Sequence, residues 1–74
     1  MFDRITMNGK QMNGQPCIRG MRLTVRRVVA EVAAYPDRTG LFRNYPDLEE
    51  DDIRQALEFA AANLAAGAYE PSAA

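Results

Sequence analysis

The sequence predicts a mainly α domain, in which a short N-terminal β arm precedes three helices. Three observations carry that expectation. Apolar residues recur at helical spacing over residues 25–34 and 49–66. Two Tyr-Pro pairs, Tyr35-Pro36 and Tyr45-Pro46, divide the helical part into three, because a residue before proline resists the α region. Apolar–polar alternation is confined to Phe2–Met7, ahead of a stretch rich in asparagine and glycine.

Seventy-four residues make one domain, here assigned to residues 1–68, with 1–24 as β arm and loop, 25–66 as the helical part and 69–74 as a tail. A domain near this size buries only about 60% of its unfolded surface, so it calls for some reinforcement. One cysteine and no histidine leave neither an intrachain disulfide nor a metal cage. A homodimer is therefore expected, with no metal and no cofactor. No basic-then-apolar leader and no apolar run of about 18 residues is present, so a soluble, cytoplasmic protein is expected, with no membrane contact.

In order along the chain, Phe2–Met7 is the first strand and Asn8-Gly9 a turn. Lys10-Gln11-Met12 is expected as the second piece of a hairpin closed by Asn13-Gly14. Such a hairpin is marginal alone and must pack on a partner's arm or on the helices behind it. Arg22-Leu23-Thr24 extends, and Thr24 caps a helix to Ala34 whose apolar stripe is Val25, Val28, Val29, Val32 and Ala33. Asp37 is placed to cap a short helix ending near Asn44. The last helix spans Glu49–Ala66, with Asp47 or a neighbour as cap, and Gly67 ends it. Its expected buried stripe is Ile53, Leu57, Ala60, Ala61 and Leu64, with Ala56 beside it and Phe59 off it.

Charge divides the chain. Residues 1–43 carry eight basic and three acidic side chains, whereas residues 44–74 carry one basic and seven acidic. That asymmetry suggests a basic surface for an acidic partner. Glu49, Glu50, Asp51 and Asp52 sit where a helix dipole is positive, which stabilises the helix. The stretch Gly14–Val25, GQPCIRGMRLTV, holds the lone cysteine and places Arg19 and Arg22 three apart in a rigid turn. Planar guanidinium forks suit phosphate or carboxylate. Cys17 has no histidine to activate it, and the carboxylates are consecutive rather than set across a cleft, so no catalytic residue and no enzyme activity is expected. Cys17 is expected as a small buried hydrophobe.

The chain resembles the domain-of-unknown-function family numbered 433. The resemblance rests on Arg4-Ile5, on the whole of Gly14–Val25, on Tyr45-Pro46-Asp47-Leu48, and on Glu50–Ile53 followed by Ala56-Leu57 and Phe59-Ala60. Met21, Gln15 and Phe59 stand where that family usually has threonine, lysine and tyrosine, and Tyr35-Pro36 where it commonly has a glycine. The resemblance implies a three-helix, helix-turn-helix-like fold, usually dimeric. It further implies a role as antitoxin of a bacterial toxin–antitoxin pair, often encoded beside a PIN-like nuclease toxin.

A helix-turn-helix ordinarily sends the N-terminus of its last helix into the major groove. Four consecutive acids there would oppose phosphate. Contact with a toxin or with operator DNA is assigned instead to Lys10, Arg19, Arg22, Arg26 and Arg27. The expected function is neutralisation of a PIN-like nuclease toxin, with repression of its own operon as an additional role. The alternative is a DNA-binding transcriptional regulator without a toxin partner.

Overall fold

The computed structural model describes residues 2–66. Gly67 and the tail assigned to 69–74 lie outside the described residues. The chain folds as β1 (Ile5–Thr6), β2 (Cys17–Ile18), α1 (Val25–Ala34), α2 (Arg38–Asn44) and α3 (Glu50–Ala66). Three helices with a small antiparallel sheet at the N-terminus is the architecture expected.

The partner of β1 is not the one expected. Ile5 pairs with Ile18 and Thr6 with Cys17, so the second strand comes from the PCIRG stretch and not from Lys10-Gln11-Met12. Met12, Asn13 and Gly14 take φ of 51°, 58° and 78° in a 3₁₀ turn. Left-handed backbone of that kind cannot continue a ladder. A tight turn at Arg19-Gly20, with φ 44° and 71°, follows β2 and folds the chain back as a hairpin onto Leu23-Thr24. Two consecutive positive φ values are what a tight two-residue turn between twisted strands requires. Met21 N donates to Ile18 O at 2.7 Å across that turn, and Ile18 N donates to Leu23 O at 2.9 Å on the return. Cys17 and Thr24 close the ladder as a bridge.

Thr24 ends this hairpin and starts α1, its Oγ1 accepting from Arg27 N at 3.0 Å. Pro36 halts α1 after Tyr35, and Asp37 Oδ1 caps α2 by accepting from Gly40 N at 3.1 Å. The core gathers Ile18 and Leu23 from the hairpin, Val25 and Val28 from α1, Leu41 from α2, Leu48 from the turn, and Ile53 and Ala56 from α3. Fully burying one such aliphatic side chain contributes roughly 1.5–3 kcal/mol. Helix α1 packs chiefly against α3.

The buried face of α3 is rotated from the expected stripe. Ile53 and Ala56 are buried and Ala60 half-buried, but Leu57, Ala61 and Leu64 are exposed, and Phe59 turns inward. The β arm explains the rotation, because it lies on its own α3. Phe2 meets Phe59 edge-on with ring centroids 5.3 Å apart. Gln55 accepts from Arg4 N at 2.9 Å and donates to Asp3 Oδ1 at 2.6 Å. Two polar residues, Asp52 and Gln55, are consequently buried on this helix. The start of α3 is closed by Asp52 Oδ2, which accepts from Glu49 N at 2.8 Å, the back-bond of a capping box. Asp47 is not the cap.

Candidate functional site

The structure separates the arginines of the first half into two groups. Arg4 and Arg19 converge on Asp52, a carboxylate with no exposed surface. Arg4 NH1 donates to Asp52 Oδ1 at 3.0 Å and to Glu49 Oε1 at 2.7 Å. Arg19 grips the same carboxylate as a fork, Nε to Oδ1 at 3.0 Å and NH2 to Oδ2 at 2.8 Å, and NH2 also donates to Asp47 O at 2.6 Å. Burial pushes the Asp52 carboxyl up. The hydrogen bonds from Arg19, the Glu49 N–H and Arg4 outweigh it and hold the group below the usual carboxylate range. Glu49 and Asp52 in turn keep Arg4 charged, and Asp52 does so for Arg19.

Arg19 thus belongs to the fold. Its φ of 44° is uncommon for a residue with a side chain, and such a conformation persists only where the surroundings hold it. The fork on Asp52 and the Arg19 N–H, which donates to Arg4 O at 2.8 Å, hold it. Of the residues expected to contact a partner, Arg19 is the one whose guanidinium is engaged by a fully buried carboxylate.

The other group faces outward. Arg22, Arg26 and Arg27 line one open hollow of about 550 Å³ between the 3₁₀ turn, at Met12 and Gln15, and the outer side of α1 at Ala30. Leu23, Thr24 and Tyr45 complete its lining. Arg22 also lines a neighbouring hollow of about 720 Å³ together with Lys10, Gln11 and Gly20. The four expected cations other than Arg19 therefore form one continuous strip, with Arg22 at the junction. No carboxylate lines either hollow. Among the described residues Lys10, Arg22 and Arg26 make no ion pair.

Arg27 is aimed by its neighbours. Its Nε lies 3.5 Å from Glu31 Oε2, one helical turn on, and the Tyr45 hydroxyl donates to the same oxygen at 2.9 Å. The Glu31 carboxylate beside it pushes the Tyr45 phenol up, with partial burial adding to the effect. Tyr45 therefore joins the α2–α3 turn to the arginine strip. In the sequence Tyr45 stands as part of the Tyr-Pro pair that ends α2, and nothing there announces its hydroxyl contact. Nothing in the sequence places Met12 and Gln15 beside the arginines, because turn residues carry no periodicity to place them.

A small helical domain with an exposed cationic strip, in which Arg27 alone is paired with a carboxylate among the described residues, is the class of protein that fold and surface define. The chain belongs to the protein family of unknown function DUF433, whose model matches residues 5–60. No curated protein matches the chain, and no solved structure does either. Among the described residues, no helix is long and apolar enough to cross a membrane.

Proposed function

We propose that this protein is an antitoxin-like binding protein of the cytoplasm, whose cationic strip takes up an acidic surface of a PIN-like nuclease toxin. One observation carries the reading. Arg22, Arg26 and Arg27 converge on a single concave surface without a carboxylate in its lining, while the acids at the start of α3 are spent on Arg4, Arg19 and Arg38. Guanidinium forks presented that way suit carboxylates clustered on a partner. Self-association, expected from the small core, would double the strip about a two-fold axis.

Co-expression of this chain with a PIN-like nuclease encoded beside its gene tests the proposal. Growth rescue and co-purification are expected, both lost with Arg26→Ala plus Arg27→Ala. Absence of rescue and of co-purification with the unaltered chain overturns it.

A second reading, operator binding, is favoured by the reach of the strip along the β arm to Lys10. Cations lined along one surface suit contact with a phosphate backbone. A mobility shift of the upstream promoter fragment that weakens steeply with salt is its signature. No shift at low salt, with or without the nuclease, removes it.

A further inference from the structure

Beside the cationic strip lies an apolar groove of about 500 Å³, running between α1 and α3. Val25 and Val29 of α1 form one wall, Phe59 and Leu64 of α3 the other, and Met7 of the arm stands at its margin. Met7 and Leu64 are 66% and 62% exposed, the most exposed large hydrophobic side chains among the described residues. Arg26 lines this groove as well as the cationic hollow, so the two surfaces meet along α1. Neither is lined by a carboxylate.

We infer that the two surfaces form one composite docking site for an acidic protein segment that also carries apolar side chains. The apolar anchors enter the groove between α1 and α3, and the carboxylates meet Arg26, Arg27 and Arg22 across the ridge of α1. Charge decides between this occupant and a second copy of the chain. A second copy laid on the groove would bring another Arg26 and no carboxylate from the same lining, leaving like charges facing a desolvated surface. A nucleic acid would satisfy the arginines and leave the exposed Met7 and Leu64 without a partner. The inference rests on the anion-binding reading of the strip, and it specifies what else that partner must bring.

The test is selection of binders from a random twelve-residue peptide library on the full chain, followed by affinity measurement of the enriched peptides. Enriched peptides are expected to combine aspartate or glutamate with leucine, isoleucine or phenylalanine. Their affinity should fall at least tenfold with Met7→Gln plus Leu64→Gln, and at least tenfold with Arg26→Ala plus Arg27→Ala. Both pairs lie on the surface, and circular dichroism checks that each variant is folded. Failure to enrich any peptide, enrichment without acidic residues, or affinity insensitive to either pair overturns the inference. So does sedimentation showing that Met7→Gln plus Leu64→Gln splits a dimer, which would give the groove to a second copy. None of these outcomes depends on the nuclease, so the co-expression experiment can fail or succeed separately.

Discussion

Asp52→Asn removes one charge from the molecule and almost no volume. Four donors converge on the native carboxylate: Arg4 NH1, Arg19 Nε and NH2, and the Glu49 N–H. An amide offers one acceptor oxygen and turns an NH₂ toward the remaining donors, so two of the four contacts become donor against donor. Neutralising one member of a buried ion pair costs about 3–5 kcal/mol. The guanidiniums keep 26% and 35% of their side-chain surface in water, which recovers part of that and favours the lower end, about 3 kcal/mol. Domains hold roughly 0.05–0.15 kcal/mol per residue, about 4–11 kcal/mol for a chain of this length. The variant therefore surrenders a large part of its stability. Urea unfolding followed by circular dichroism should show the midpoint lowered by about 1–3 M at slopes of about 1–3 kcal/mol/M. Glu50→Gln is the control, since it breaks an exposed pair with Arg38 at 3.1 Å and should cost under about 1 kcal/mol. If Asp52→Asn proves no more destabilising than this control, Asp52 does not clamp the arm to α3.

Acid should act on the same carboxylate. With its folded pKa below the unfolded value of about 3.9, the contribution of Asp52 is complete above that value. It is lost as pH falls through the lower folded value, so unfolding followed against pH should show stability falling below about pH 4. Thr24→Ala removes the acceptor of Arg27 N and should cost about 1 kcal/mol in the same urea assay. Gly20→Ala meets no atom within 4 Å, yet φ is +71°, so a loss of about 1 kcal/mol from backbone strain alone is expected in thermal or urea unfolding.

Helix boundaries were legible because their signals are local. Thr24, Asp37 and the two Tyr-Pro pairs act within one turn of where they sit, and α1 and α2 begin and end where those residues say. The hairpin was misplaced because Lys10–Met12 and Cys17–Ile18 are both short, and only long-range packing decides which of them pairs with Ile5. Periodicity also misjudged α3. It scores Leu57 and Leu64 as core and Asp52 and Gln55 as surface, whereas the arm covers the polar side of the helix and leaves the leucines exposed. The cations of the site were found from charge asymmetry. Their division into Arg19, held on Asp52, and Arg22, Arg26 and Arg27, lining the hollow, depends on the left-handed turn that swings Arg19 onto Asp52. No spacing rule reports that.

The division itself is the central claim, and one measurement tests it most directly. The affinity of the chain for the proposed nuclease partner is titrated with Arg26→Ala plus Arg27→Ala, and the urea midpoint of the same variant is recorded alongside. Affinity at least tenfold weaker with a midpoint close to that of the parent is the result expected of cations that face a partner and hold nothing inside. Unchanged affinity, or a loss of binding that merely follows a collapse of the fold, would contradict it.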